Sequence, residues 1–271
     1  MIRVELSKLL RSRRTWVTIT VIDALPTLVA VLLATTDAGP RPGTGPAFLS
    51  AVLTDGTLYP LAAIAMVLPL FLPAAIAVTA GDAIAGEAQQ GTLRYVLVRP
   101  VGRTRLLLAK LVSVMAFALL ALLVVAATAY VLGSVLLGHG SPGQATTTFS
   151  GTSLSSSQLA WRTGLALLYA LLSMLGVASV ALFLSTIVRS PLAATMGALA
   201  LLIGSSLLLT LDAADVLRPY LVTRYWLSFV DLFRDPILWH DVVRGVLLQG
   251  GYVVVFLVAA WANFVTKDVT D

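Results

Sequence analysis

The sequence predicts an all-α, polytopic membrane protein with six transmembrane helices. Hydrophobic residues make up 58% of the 271-residue chain and charged residues only 11%, whereas a soluble domain usually carries about 25% charge. Apolar runs of about 20 residues recur along the chain, and each is long enough to cross a hydrocarbon core about 30 Å thick. The predicted spans are Trp16–Thr35, Leu58–Ala80, Leu106–Leu137, Trp161–Thr186, Leu192–Leu211 and Val243–Val265.

The distribution of basic residues predicts how the chain is oriented in the membrane. Cytoplasmic loops carry an excess of Lys and Arg, and of the 18 basic residues six fall on one side of the predicted spans. These six are Arg41, Arg162, Arg218, Arg224, Arg234 and Arg244. We expect one domain, residues 1–271, in the cell membrane, with both termini on the cytoplasmic side that holds the other basic residues. Because the basic residues flank spans, orientation explains them better than nucleic-acid binding.

The first fifteen residues predict a helix that lies on the membrane surface. Residues 1–15 place apolar side chains on one helical face, with basic residues mostly turned away from it. The apolar residues are Ile2, Leu6, Leu9 and Leu10, and the basic ones are Lys8, Arg11 and Arg14. We expect an interfacial amphipathic helix on the inner leaflet. The alternative is a basic flank that only orients the first span.

Residues 82–105 form a polar segment between two apolar runs, and local signals divide it into two short helices. Asp82 can cap the N-terminus of the first helix, and Gly91 supplies the left-handed residue that commonly ends one. Thr92 can cap the second helix, and Pro100 ends it by disfavouring helical geometry in the residue before it. We therefore expect a structured loop that presents a basic and apolar surface to the cytoplasm.

The same segment resembles a motif in the membrane permease subunits of type-2 ABC exporters. The matching residues are Gly86, Glu87, Gly91, Thr92, Leu93, Arg99, Pro100, Arg103, Leu106, Leu107, Leu108 and Lys110. The resemblance extends to the chain length, the six spans, the basic amphipathic start and an amphipathic piece before the last span. It implies an exporter permease, which is a transport subunit and not an enzyme.

The resemblance also implies that the segment is a coupling helix that docks on a separate cytoplasmic ABC ATPase. It assigns this contact to Gly86, Glu87, Gly91, Thr92, Leu93, Arg94, Arg99, Pro100 and Arg103. Two ATPase copies and a second permease chain, identical or related, would complete the complex among the membrane lipids. The chain has no G-x-x-x-x-G-K-[ST] phosphate loop, so we expect ATP and Mg on the ATPase and no cofactor on this chain. The alternative is a positive-inside loop that only joins two spans.

Residues 212–241 carry an apolar and aromatic stripe before the last predicted span. The stripe consists of Leu221, Tyr225, Phe229, Leu232 and Phe233, and the aromatic anchors are Tyr220, Trp226 and Trp239. The pattern predicts an extracellular amphipathic helix at the membrane interface, and the resemblance implies that it is a gate. The candidate gate residues are Tyr225, Trp226, Phe229 and Phe233. The alternative is an ordinary interfacial loop with aromatic anchors.

Asp23 lies inside the first predicted span, shortly before Pro26. A carboxylate at that depth is costly unless it is paired, so an intramembrane functional site is one interpretation. The other is local, because Pro26 removes a backbone donor and Asp23 can satisfy groups loosened nearby. A gradient-driven secondary transporter that uses Asp23 is therefore the alternative function, although a proton relay needs more than one such group.

The remaining features concern the substrate and the second span. Few charges on the predicted inner surfaces favour a hydrophobic or amphipathic substrate, such as a drug, an antibiotic or a lipid. Pro60, Pro69 and Pro73 predict kinks in the second span. The two histidines, His139 and His240, stand apart in loops, so neither a metal site nor a hydrolytic centre is expected.

Overall fold

The computed structural model describes residues 2–36, 56–91, 102–138, 146–147 and 153–266. The helices within these ranges are α1 (Ile2–Arg11), α2 (Arg13–Thr35), α3 (Tyr59–Val67), α4 (Phe71–Gln89), α5 (Arg103–Leu136), α6 (Ser156–Ile187), α7 (Pro191–Leu208) and α8 (Trp239–Thr266). Two short antiparallel strands, β1 (Thr146–Thr147) and β2 (Ser153–Leu154), pair between α5 and α6 with Thr146 opposite Leu154.

Six helices in the described ranges are long and apolar enough to cross a membrane, namely α2, α4, α5, α6, α7 and α8. The predicted all-α fold with six membrane-spanning helices is therefore confirmed. α5 has 34 residues, or about 51 Å at 1.5 Å per residue, which agrees with the long third predicted span. α6 is central, since it packs against α4, α5, α7 and α8.

Contacts between helix ends define the two ends of the bundle. Arg103, at the start of α5, donates from Nη1 to the carbonyl oxygens of Phe264 (3.2 Å) and Val265 (2.7 Å) in the last turn of α8. Lys110, two turns further along α5, contacts Glu5 of α1. We call the end that holds α1 and the last turn of α8 the terminal end, and the opposite end the distal end.

The second predicted span, Leu58–Ala80, consists of two helices. A 3₁₀ turn at Gly56–Leu58 leads into α3, and the helical path is interrupted at residues 68–70 before α4 starts. Pro69 and Pro73 explain the break, because a proline cannot donate a backbone hydrogen bond and its ring crowds the preceding turn. The predicted kink is confirmed at this point.

α4 continues beyond the predicted end of the second span and stops at Gln89. Asp82 therefore lies inside a helix, so the prediction that it caps a new short helix is wrong, and the loop predicted at 82–105 starts later. Burial explains the extension, because Ile84 packs into a second apolar cluster with residues of α5, α6 and α8. Gly91 does follow the helix end with a positive φ of 69°, a conformation that glycine adopts without steric cost.

α1 is shorter than the surface helix predicted for residues 1–15, because α2 begins after a single intervening residue. Leu9 packs into the core, whereas Ile2 and Leu10 are exposed. The exposed apolar side chains are compatible with a membrane surface, and that location stays a prediction.

The chain between α7 and α8 is not the amphipathic α-helix predicted within residues 212–241. It contains three 3₁₀ segments, Asp212–Ala214, Arg218–Tyr220 and Ser228–Phe233, and α8 already begins at Trp239. We call residues 212–238 the distal segment. The backbone carbonyls of this segment accept hydrogen bonds from side chains of neighbouring helices, which hold it in this irregular conformation.

Candidate functional site

A cavity of about 660 Å³ lies at the terminal end between α1, α2, α4, α5 and α7. Its charged lining residues are Glu5, Lys8, Arg14, Asp82, Glu87 and Lys110. Apolar side chains such as Val78, Phe117 and Leu192, together with hydroxyl groups such as those of Thr18 and Thr195, line the rest. Small-molecule sites typically enclose about 300–1,000 Å³ and combine apolar walls with a few polar groups. The terminal-end cavity has this character.

Three charged side chains from three helices meet at the wall of this cavity, and we call them the Lys110 cluster. Lys110 on α5 is only 4% exposed. Its Nζ donates to Glu5 Oε1 of α1 at 3.2 Å and to Glu87 Oε1 of α4. A buried ammonium requires such partners because its desolvation costs several kcal/mol. Two carboxylates share one ammonium, so the cluster has a formal excess of negative charge.

The residues assigned to ATPase coupling by resemblance fall into two groups. Thr92, Leu93, Arg94, Arg99 and Pro100 lie outside the described residues. Gly86, Glu87, Gly91 and Arg103 lie within the described ranges, at or near the terminal end. The structure thus brings the second group together around the start and end of the loop, and their role toward an ATPase stays a prediction.

Three of the four described members, Gly86, Glu87 and Arg103, make side-chain or packing contacts within the chain. Glu87 bonds to Lys110, and Arg103 caps the last turn of α8. Gly86 is buried, and a Cβ atom there would overlap the carboxylate of Asp82. These residues therefore hold the end of α4 and the start of α5 in place.

Ser185 of α6 inserts its hydroxyl group into the backbone of α4. Its Oγ accepts from the N–H groups of Ile84 (3.2 Å) and Ala85 (2.9 Å) and donates to the carbonyl oxygen of Gly81 (2.7 Å). A side chain that enters the hydrogen-bond ladder of a helix is an established cause of bending. The last turns of α4, which carry Glu87, are thus held by α6 on one side and by Lys110 on the other.

Asp23 accepts a hydrogen bond from Thr128 of α5, with Oγ1 and Oδ1 2.7 Å apart. One turn along α2, the carbonyl oxygen of Pro26 accepts from the hydroxyl group of Tyr59 on α3. α2, α3 and α5 contain no other Asp or Glu. Asp23 is therefore bonded to a neutral hydroxyl group, and the structure gives it no second carboxylate on these helices.

The distal segment is held by side chains of α6 and α8 that donate to its backbone carbonyls. The bonds run from Arg162 to Leu232 (3.1 Å) and Arg234 (2.9 Å), from Tyr169 to Tyr225 (2.6 Å), from Gln249 to Val222 (2.8 Å) and from Tyr252 to Tyr220 (2.9 Å). α7 contributes as well, because Ser205 Oγ accepts from the Thr223 N–H at 3.3 Å. Non-helical backbone is tolerated at membrane depth only where such partners satisfy it.

The four candidate gate residues lie in the interior of the chain. Tyr225, Trp226, Phe229 and Phe233 are all buried, with 6% exposure or less. The anchor interpretation of Trp226 is therefore wrong, whereas Tyr220 and Trp239 are exposed as an interfacial anchor requires. A gate role for the buried residues would need the surrounding helices to separate.

Sequence reasoning missed the donors that organise both ends of the bundle, among them Ser185, Arg162, Tyr169 and Gln249. A signal was present, since polar side chains inside apolar spans mark inward-facing positions. The pattern alone does not show which backbone such a side chain meets. Their partners lie between 27 and 104 positions away along the chain.

Six helices long and apolar enough to cross a membrane, four of which line a charged and partly apolar cavity, define a multi-pass membrane protein. Comparison with known families identifies it further. A family model described as "ABC-2 family transporter protein" matches residues 1–206, so the chain belongs to that family. The matched region contains α1 to nearly the end of α7 and every residue of the Lys110 cluster. No curated protein matches the chain.

Proposed function

We propose that this chain is the permease subunit of an ABC exporter and forms the path of a hydrophobic or amphipathic substrate, such as a drug, an antibiotic or a lipid. The observation that carries the proposal is the terminal-end cavity, which lies in the family-matched region and combines apolar with charged walls. An amphipathic molecule can place its apolar part against Val78, Phe117 and Leu192 and its polar head near the charged side chains.

Energy would come from a separate cytoplasmic ABC ATPase, present in two copies, with ATP and Mg bound to that partner. The proposed docking site is residues 90–102, which join α4 to α5. Both helices also line the cavity. A displacement of this loop by the ATPase therefore acts directly on two walls of the proposed path.

A second permease chain, identical or related, would complete the path. α2 and α7 border the cavity and expose apolar side chains, including Val21, Leu28, Met196 and Ile203. These surfaces can pack against lipid and a second chain. The excess of basic residues near the terminal end supports a cytoplasmic location for it.

A gradient-driven transporter that uses Asp23 has less support. Asp23 is bonded to Thr128, and α3 and α5, the helices that bond to this part of α2, carry no second carboxylate for a relay. Membership of an ABC-2 family favours ATP as the energy source.

Co-purification tests the proposed partner. A tagged chain isolated from its host membrane should carry an ABC ATPase, and Leu93→Asp or Arg94→Glu should abolish that association. Val216→Asp is the matched control, because Val216 is 83% exposed at the distal end and should leave association unchanged. Full retention of the ATPase by both loop variants would contradict docking through residues 90–102.

Stimulated ATP hydrolysis tests the substrate class. The complex in liposomes should hydrolyse ATP faster when amphipathic compounds are added, with little response to small hydrophilic solutes. A response confined to hydrophilic solutes would contradict the proposed substrate class.

A further inference from the structure

The Lys110 cluster connects elements that are far apart in sequence. Glu5 belongs to α1, Glu87 to the last turn of α4 and Lys110 to the second turn of α5. The side chain of Lys110 is 5% exposed, and those of Glu5 and Glu87 are 20% and 15% exposed. Ion pairs with this little exposure are screened far less by salt than surface pairs.

α1 is otherwise attached through a limited apolar contact. Leu9 packs into the core, whereas Ile2, Val4 and Leu10 are exposed. α1 packs chiefly against α5, with a smaller contact to α2. The Glu5–Lys110 ion pair therefore joins α1 to α5. The Glu87–Lys110 ion pair joins α5 to the end of α4, so Lys110 connects α1 with α4.

We propose that Lys110 is a positioning residue for energy coupling: it holds α1 and the end of α4 as one unit, so that displacement of residues 90–102 also moves α1. α1 forms one wall of the cavity through Glu5, Lys8 and Leu9. Movement of α1 with α4 changes the opening of the cavity when the loop is displaced. This inference rests on the proposed function, in which a partner ATPase displaces that loop.

The two links of the cluster can be cut separately. Glu5→Met removes the link to α1 and leaves Lys110 and Glu87 as a neutral pair, so folding should be retained. Lys110→Met cuts both links and leaves two carboxylates together, which makes it a less stable variant. Lys110→Arg preserves a cation that can reach both carboxylates and should restore the native behaviour.

The chain contains no cysteine, so pairs of introduced cysteines can carry spin labels without removing native ones. One pair, Arg3→Cys with Val216→Cys, reports the position of α1 relative to the distal segment. The other, Gln89→Cys with Val216→Cys, reports the end of α4. Pulsed EPR on the complex purified with its ATPase would compare the apo state with the ATP–vanadate state.

In the native background both label pairs should change distance on trapping. In Glu5→Met the α4 pair should still change and the α1 pair should not, while Arg11→Met, which removes an exposed charge from the same helix, should behave like the native chain. The inference would be overturned if the α1 pair changed distance on trapping in both Glu5→Met and Lys110→Met as it does in the native chain. It would also be overturned if the α1 pair did not change distance in the native chain while the α4 pair did. If neither pair responds in the native complex, the proposed ATPase coupling fails, and the inference fails with it.

Discussion

The terminal-end cavity and the distal segment both contain buried polar groups, but the chemistry of those groups differs. At the terminal end, formal charges from three helices meet at the wall of an open cavity. At the distal end, donors from α6 and α8 bond to backbone carbonyls of a segment in which four aromatic side chains, Tyr225, Trp226, Phe229 and Phe233, are buried. The contrast indicates that the terminal end can change its conformation, whereas the distal segment is fixed to α6 and α8.

The physical reason lies in what happens when the contacts open. Exposed charges of the cavity wall, such as Arg14 and Asp82, can exchange partners with water or with a substrate at a modest cost. The Lys110 cluster lies beside them and can move as one unit with its ion pairs intact. A backbone carbonyl that loses its donor in a dry interior costs about 1–3 kcal/mol. Opening the distal segment would break several such bonds at once.

The largest effect is expected for Arg162→Met. The variant removes the donor to Leu232 and Arg234 and should lower the free energy of unfolding by about 4 kcal/mol, since hydrogen bonds to charged groups contribute about 1.5–3 kcal/mol each. Denaturant titration in mixed micelles would measure the change. Arg244→Met, which removes an exposed arginine at the same end, should cost less than about 0.5 kcal/mol. Equal effects of the two variants would show that the bonds from Arg162 to Leu232 and Arg234 do not stabilise the distal segment.

Lys110→Met should lower the free energy of unfolding by about 2 kcal/mol, because it leaves Glu5 and Glu87 without their shared cation beside a solvated cavity. Combining it with Glu87→Gln should recover part of that loss in the same titration. If the double variant is less stable than Lys110→Met alone, carboxylate repulsion does not explain the effect.

Ser185→Ala should cost about 1 kcal/mol and should speed amide hydrogen exchange at Ile84 and Ala85, which lose their side-chain acceptor. Ser179→Ala is the matched control, since Ser179 is equally buried on α6 and its hydroxyl group donates to the Leu175 carbonyl of its own helix. The same exchange rates in both variants would show that the Ser185 hydroxyl group does not stabilise this part of α4.

The smallest effect is expected for Asp23→Asn. An asparagine carbonyl oxygen can still accept from Thr128, so the free energy of unfolding should change by less than about 0.5 kcal/mol, and ATP hydrolysis by the reconstituted complex should be retained. Transport that is lost in this variant and on collapse of the proton gradient would instead support the gradient-driven alternative.

Particular residues show what the sequence could predict. The apolar runs predict six spans because membrane thickness sets helix length, and Gly91 marks a helix end because few other residues adopt a positive φ. The prediction for Asp82 is wrong because the sequence does not show that Ile84, two positions later, packs into the core. Without that contact, an aspartate at an N-cap and an exposed aspartate within a helix give the same pattern.

The distal segment could not be predicted because its conformation depends on distant donors. Its stripe from Leu221 to Phe233 fits helical spacing, yet Tyr169 and Gln249 donate to the carbonyls of Tyr225 and Val222 and hold this backbone in a different conformation. Local pattern and tertiary hydrogen bonding compete here, and the tertiary bonds determine the structure.

Two pairs of spin labels in the complex with its ATPase test most directly whether the two ends of the bundle differ in mobility. The pair Arg11→Cys with Met196→Cys joins α1 and α7, which both contribute to the wall of the cavity. The pair Trp161→Cys with Val216→Cys joins α6 and the distal segment. We predict that ATP–vanadate trapping changes the first distance and leaves the second unchanged. A constant first distance together with a changed second distance would contradict the claim.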